Sequence, residues 1–441
     1  MTQGKVTASS LMLRDQPNTS ANIIDTLPTG TLVDILKTVA GGNYPFSSGT
    51  RNDWHQVKVD DQEGFVAAAF VTSITSPPTS SSIKEIRGVW IVSHFNSPVL
   101  TSPSTITNAL DFLQLNGFNI VFPAVWNQGF TAFPSQVMEL NGFPKQDPAY
   151  GGFDPLREII TQGQSRDIAV IPWFEYGFAA SPAADGGHIL QTKPQWSALD
   201  STGNKVQHGG LTWMNSLDPE VQQFMLDLVL EVIQSYDVIG IQGCDRFPAM
   251  PFNGGYDPAT KAQFRAKFGT NPPNNGKEAQ WVRFRADLLT QYLARLFNEI
   301  KNTKSDCIVS ISPSPFPFGR DNVMQDSDAW IKKNIVDFLH PQFYRDSFNK
   351  YKTEVDRIKA NFTTTQRAKY APGIAFTANG VNLSSTDIVQ SVQYNRQNGL
   401  GGQVFFFYEG LTKNSNEMAI ALSTQGGYNQ IASLPSSFVI T

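Results

Sequence analysis

The sequence predicts an α/β protein: a (β/α)8 barrel of the TIM type, preceded by a small all-β barrel. Three observations carry this. From Glu85 onward, short apolar runs alternate with stretches of helical period, the order that builds parallel β/α units. Eight such runs fall within residues 85–441, which suits one barrel with loop insertions. Residues 4–75 hold only short alternating runs separated by turn residues, the pattern of a compact β domain.

In the first segment the runs are KVTASSLMLR, NIIDTL, TLVDILKTV, WHQVKVD and EGFVAAAFV. Pro17, Pro28-Thr29-Gly30 and Asp60-Asp61 supply the turns. Residues 76–82, SPPTSSS, have no apolar periodicity and read as a linker. The expected organisation is a β domain over residues 1–75, a linker over 76–84 and the barrel over 85–441. Barrel strands are expected at residues 87–93, 119–125, 168–174, 238–242, 307–312, 338–343, 369–375 and 403–408. Of the helices between them, Pro219–Ser235 is the best defined. Asp218 is its N-cap, Pro219 opens it, and Val221, Phe224, Met225, Leu228, Val232 and Ile233 form one stripe. No phosphate-cradling glycine fingerprint follows any strand, which disfavours a doubly wound sheet. Insertions at residues 129–153 and 179–215 follow strand carboxyl ends and are expected to build one rim.

Composition narrows the function. Net charge is −4 with no basic run, so nucleic acid is not an expected partner. Aromatics reach 12%, with 8 Trp and 31 Phe; sugar-stacking faces and large core residues both account for such a content. No apolar run approaches the ~18 residues of a membrane span. The opening MTQGKVTASS does not read as a signal peptide, so export would need a leader outside this sequence. The 2 cysteines, Cys244 and Cys307, exclude a disulfide framework and a cysteine metal site, and fit cytosol or envelope. They lie at opposite ends of neighbouring strands, on the order of 15 Å apart and beyond disulfide reach. A free thiol is expected at the cavity mouth for Cys244, and a buried one for Cys307.

Chemistry is expected at strand carboxyl ends, where barrel enzymes carry it. Residues 236–248, YDVIGIQGCDRFP, run from an apolar strand into Cys244-Asp245-Arg246. Other strand ends contribute His94, Trp126 and Asn127, Trp173, Glu175 and Tyr176, Ser314, Gln342 and Tyr344, and Tyr408 and Glu409. Glycoside hydrolysis needs one protonated and one ionised carboxyl, and its sugars need aromatic faces and amides. Asp245, Glu175 and Glu409 are the carboxyl candidates. Glu175 follows an aromatic run and is the best general acid, since apolar neighbours raise a carboxyl pKa. Trp126, Asn127, Trp173, Tyr176, Arg246, Gln342, Tyr344, Tyr408 and His94 are the substrate-binding candidates. Each also has an ordinary reading as rim ion pair, loop tether or core aromatic. No His–carboxylate cluster has metal spacing, so neither metal nor cofactor is expected.

Two family resemblances follow. Leu13-Arg14, Pro17, Leu27-Pro28-Thr29-Gly30-Thr31, Asp53-Trp54, Val57 and Gly64-Phe65-Val66 resemble the bacterial Src-homology-3-like domain, with an insertion at residues 40–51. Such modules bind wall peptides, which implies a cell-wall peptide partner for residues 1–75. Residues 85 to about 412 resemble the glycosyl hydrolase-like family 10 of bacterial envelope proteins. The matching positions are Arg87-Gly88-Val89-Trp90, Gly117-Phe118-Asn119, Val125-Trp126-Asn127, Phe133-Pro134-Ser135, Phe153-Asp154-Pro155-Leu156, Trp173-Phe174-Glu175, Asn215-Ser216 and Asp218-Pro219-Glu220-Val221. The Gln-Gly-X-Asp-Arg variant and Phe406-Phe407-Tyr408-Glu409-Gly410 look most like the cyanobacterial branch.

The family implies hydrolysis of glycan chains, with some members acting on peptide-free peptidoglycan. It also implies a place in the cell envelope, in the periplasm or outside the cell. One departure matters: the family pattern DGIxxDD reads Ile239-Gly240-Ile241-Gln242-Gly243-Cys244-Asp245 here. Cys244 thus stands where the first Asp of the pair is expected, and a thiol stabilises an oxocarbenium-like centre poorly. The expected function is carboxylate-driven hydrolysis of cell-wall polysaccharide. The alternative is a catalytically impaired carbohydrate-binding or scaffold protein. A transglycosylase is a third reading, should the rim insertions exclude water.

Overall fold

A computed structural model describes residues 2–8, 10–28, 30–46, 49–59, 62–74, 83–378 and 380–435. Thr29, Asp60 and Asp61 of the expected turns, and residues 76–82 of the linker, lie outside them. The chain forms two compact units, Met1–Ser81 and Ser82–Thr441.

The second unit is the barrel. Its strands are β1 (Ile86–Ile91), β2 (Ile120–Pro123), β3 (Ala169–Val170), β4 (Gly240–Gly243), β5 (Ile308–Ile311), β6 (Phe338–Leu339), β7 (Gly373–Ala375) and β8 (Gly402–Phe406). All eight expected strands are present, though shorter than their apolar runs suggest. Five pair in the order β3-β2-β1-β8-β7 and three in the order β4-β5-β6, all parallel. Single bridges join the two groups: Trp173 with Gln242, and Leu339 with Tyr370 and Gln342 with Gly373. The ring therefore closes in the order β1 to β8, as a (β/α)8 barrel does. Every residue of β1, β2, β4 and β5 is buried, which explains why these strands read as unbroken apolar runs and not as alternation.

The helices between strands include α1 (Pro103–Leu115), α2 (Pro155–Gln164), α3 (Pro219–Ser235), α4 (Ala279–Thr303), α5 (Ser327–Lys332), α6 (Phe348–Asn361) and α7 (Ser385–Gln397), with α8 (Tyr408–Thr424) after β8. Their starts follow local chemistry. Asp218 accepts the Glu220 amide at the start of α3, and Ser102 and Thr105 form a capping box on α1. The apolar stripe of α3 is buried as expected. α8 departs from helical geometry at Lys413, Asn414, Ser415 and Asn416.

The first unit is a seven-stranded antiparallel sheet around Leu13, Trp54, Val57 and Val66. Within the insertion, residues 40–46 and 49–51 lengthen the hairpin of Leu32–Phe46 with Gly49–Val59. That hairpin is tied down by Tyr44, whose hydroxyl donates to Asp53 and accepts the Ala69 amide.

No helix among the described residues is long and apolar enough to cross a membrane.

Candidate active site at the carboxyl ends of β3 and β4

Glu175 and Asp245 come together at the carboxyl ends of β3 and β4. Glu175 is buried, and its Oε2 accepts a 2.8 Å hydrogen bond from Asn127 Nδ2. Burial pushes its carboxyl above the ordinary value of 4.5, and Asp245 adds to this; Arg246, Asn127 and the Ser93 backbone oppose it. Asp245 is more open, with 26% of its side chain exposed, and lies 3.7 Å from Arg246. One buried carboxyl that resists ionisation thus lies within the field of a second, more exposed one. That is the asymmetry which separates a general acid from its ionised partner.

Arg246 fixes the pair through the backbone. Its Nε and Nη2 donate to the Glu175 carbonyl at 3.0 and 2.6 Å, and its guanidinium lies over the Tyr176 ring. Gly177 makes this approach possible. At φ +50°, a Cβ there would sit 2.2 Å from the Arg246 carbonyl, which instead accepts the Phe178 amide.

Beside the carboxyls lies an aromatic floor drawn from four strands. Trp173 packs on Trp90, Trp90 on Phe406, and Phe406 stacks on Tyr344 with centroids 5.3 Å apart. Trp90 Nε1 donates to Gln242 Oε1 at 2.6 Å. Burial, then Asp245, holds the Tyr344 hydroxyl well above 10.0, so this ring shares the field of the carboxyl pair. Several buried polar atoms here have no partner: Trp173 Nε1, Gln242 Nε2, Asn127 Oδ1 and Ser93 Oγ. Unpaired buried groups are costly, and sugar hydroxyls are suitable partners for them.

The structure thus joins Glu175, Asp245, Asn127, Arg246, Tyr176, Trp173 and Tyr344. Gln342 donates to the Ser312 carbonyl across the β5–β6 end. His94 sits on the rim, 3.7 Å from Asp147 and packed between Phe95 and Tyr150.

Four expectations need correction. Cys244 is not at an open mouth: it is 0% exposed, donates to the Glu175 carbonyl at 2.9 Å and accepts the Arg246 amide. Burial holds its thiol far above the ordinary range, so it braces the Glu175 peptide and is no nucleophile. Trp126 faces away. It shares a two-residue strand with Asn127, and alternation sends one side chain to Glu175 and the other onto Phe224 and the Gly177 carbonyl. Tyr408 opens α8 and packs on Phe112 of α1, because the strand has already ended at Phe406. Glu409 lies in the same first turn and not at a strand end; burial raises its carboxyl, against the Ser97 side chain, its own backbone and Lys413.

The residues missed by sequence reasoning are Trp90, Gln242 and Phe406. Gln242 had a readable signal, a lone amide inside an apolar strand.

Cys244 and Cys307 are free and buried. Native protein is therefore expected to leave both thiols unmodified by Ellman's reagent, with two equivalents reacting in denaturant. A fast-reacting thiol in the native state would overturn the buried placement. Among the described residues, no group of three or more His, Cys, Asp or Glu is arranged to hold a metal ion.

Comparison with known proteins places this geometry in a family. Residues 9–72 match the bacterial SH3 domain. Among curated relatives, the glycosyl hydrolase DigH of Escherichia coli K12 is 25% identical over 354 residues, covering 68% of this chain and 76% of that protein. The glycosyl hydrolase YngK of Bacillus subtilis is 24% identical over 313 residues; the match spans 63% of this chain but only 58% of that protein. Among solved structures, the PgaB (BpsB) glycoside hydrolase domain of Bordetella bronchiseptica superposes with a TM-score of 0.59 at 12% identity, covering 77% of this chain and 98% of that one. The β-amylase catalytic domain of Paenibacillus polymyxa gives 0.56 at 10% identity, covering 78% and 98%. These structural likenesses bear on the barrel fold. The sequence match over residues 85–382 is broader than half the chain, and by it the chain belongs to the glycosyl hydrolase-like 10 family.

Proposed function

We propose that the barrel hydrolyses glycosidic bonds in a cell-wall glycan, with peptide-free peptidoglycan strands as the substrate class. Glu175 is the general acid that protonates the leaving oxygen, and Asp245 is the ionised carboxylate that meets positive charge developing on the sugar. The observation that carries this reading is the unequal environment of the two carboxyls: Glu175 buried and raised, Asp245 partly exposed beside Arg246. Phe406 and Tyr344, half-buried and backed by the buried Trp90 and Trp173, offer apolar ring surface to a sugar. Under this reading the protein works in the cell envelope, and the bacterial SH3 domain brings the barrel to wall peptide.

The test is release of reducing ends from peptide-free glycan strands, comparing wild type with Asp245→Asn. Loss of the ionised carboxylate is expected to lower turnover by about 10²–10⁴-fold. Equal turnover in both proteins would remove Asp245 from the chemistry.

One observation favours a second reading, an impaired barrel that binds glycan without cleaving it. Position 244, where the family pattern has an Asp, holds a buried thiol spent on the Glu175 carbonyl. A wild type that retains the strands without turnover, together with a Cys244→Asp variant that cleaves them, would establish this second reading over the first.

A further inference from the structure

Next to the proposed site, the loop that follows β2 holds a surface pocket of about 350 Å³ lined by Pro134, Lys145, Asp147, Pro148, Gly151 and Gly152. Three contacts connect it to the carboxyl ends of the strands. Asp147 in its wall lies 3.7 Å from His94 Nδ1. The His94 ring lies 4.1 Å from that of Phe95 and 5.2 Å from that of Tyr150. Burial, then Asp147, pushes the Tyr150 hydroxyl up; the His94 backbone opposes this and Glu175 adds to it, so Tyr150 feels both carboxylates. The pocket and the acid are therefore neighbours across one tyrosine.

Two further features are unusual for a purely structural loop. Phe95 is 50% exposed, an uncovered aromatic ring on the rim of a barrel that buries most of its aromatic side chains. Tyr150 is only 8% exposed, and its hydroxyl has the His94 backbone as its one polar neighbour, short of good hydrogen-bond geometry. A protein that needed only a folded loop would gain nothing from either. A sugar ring matches both, since one face stacks on an aromatic side chain while its hydroxyls donate and accept.

We propose that this pocket, the Phe95 ring and the Tyr150 hydroxyl form a distal sugar subsite. The protein then grips an extended glycan chain by a unit remote from the bond it cleaves. The inference rests on the proposed glycan substrate, and it adds a direction: the chain leaves the carboxyl pair toward the ends of β1 and β2. Remote binding of this kind raises turnover of long substrates over short ones.

The experiment uses peptide-free glycan oligomers from disaccharide to octasaccharide with the full chain. For wild type, kcat/KM is expected to climb with length. Phe95→Ala, a change at an exposed position, is expected to lower kcat/KM on the octasaccharide by about 3- to 10-fold and to move the disaccharide little. Tyr150→Phe removes only the hydroxyl and is expected to repeat the pattern at about 2- to 10-fold. If both variants match wild type at every length, the subsite is overturned while hydrolysis stands. If wild type cleaves no oligomer, hydrolysis fails and calorimetric titration decides the subsite: the octasaccharide must bind, and bind more weakly to both variants. An octasaccharide that does not bind, or binds all three proteins alike, overturns it.

Discussion

Glu175→Gln is expected to abolish most turnover and yet leave the protein at least as stable as wild type at neutral pH. Loss of a general acid costs about 10²–10⁴-fold, because the leaving oxygen must then depart unprotonated. Stability moves the other way. The folded-state pKa of Glu175 is raised, chiefly by burial. A raised group contributes stability that is fully present below its unfolded pKa and is lost as pH climbs through its folded pKa. Wild type therefore carries a penalty above about pH 4.5 that the neutral glutamine does not. The glutamine carbonyl can still accept the Asn127 amide, so the local hydrogen bond survives. Thermal melts of the two proteins should coincide near pH 4, with the variant higher at pH 7. The basic limb of the wild-type kcat/KM profile should also lie above 4.5. If Glu175→Gln instead melts lower at pH 7, Glu175 is a structural ion-pair partner of Arg246, and its role as acid falls.

The parts of this picture that the sequence revealed are those where one residue's chemistry sets one position. The eight strands were legible because buried parallel strands are continuous apolar runs. Asp218-Pro219 announced α3 because a side-chain cap and a fixed φ are local properties. Glu175, Asp245 and Arg246 were legible because strand ends of a barrel converge on one face, whatever the loops do. Other features depend on which way a side chain turns. Trp126 and Asn127 are adjacent in sequence and serve opposite faces, and only the short pairing of Trp126–Asn127 with Phe130–Thr131 decides which one meets Glu175. Tyr408 and Glu409 looked like strand-end residues, but β8 ends at Phe406, two residues before its expected end, and the chain enters α8 at Tyr408. Cys244 occupies a place where exposure was expected, and the Arg246 contact with the Glu175 carbonyl closes over it. Contacts between loops, such as His94 with Asp147 and Tyr150, leave no periodic trace at all.

The charges at the other end of the barrel should behave in the opposite sense. Glu85 enters β1 from the amino-terminal side, and its carboxylate is 4% exposed. It accepts Arg87 Nε at 2.9 Å, Arg396 Nε and Nη2 at 2.9 Å, and Gln403 Nε2 at 3.2 Å. One carboxylate thereby ties β1, β8 and α7 together. Arg87 continues the network to the segment after α8, donating to the Gln430 carbonyl and lying over the Tyr428 ring. Burial alone would raise Glu85, but Arg396 and Arg87 outweigh it and the net shift is downward. A depressed carboxyl contributes stability above its unfolded pKa and loses it as pH falls through its folded pKa.

Glu85→Ala leaves two guanidiniums without their anion, one of them fully buried. Breaking a buried pair in this way costs about 3–5 kcal/mol, and the 35% exposure of the Arg396 side chain favours the lower end. For a unit of this size that corresponds to a Tm drop of roughly 4–7 °C at pH 7, shrinking as pH falls below 4. Turnover per folded molecule should be unchanged, because this end of a barrel carries stability and the other carries chemistry. The pair of variants then separates the two kinds of buried carboxyl by sign. Glu175 is pushed toward its neutral form at a cost to the fold, as the proposed acid requires, whereas Glu85 is pushed toward its ionised form to the benefit of the fold. A Glu85→Ala protein with an unaltered Tm, or with a reduced kcat well below its Tm, would break that division.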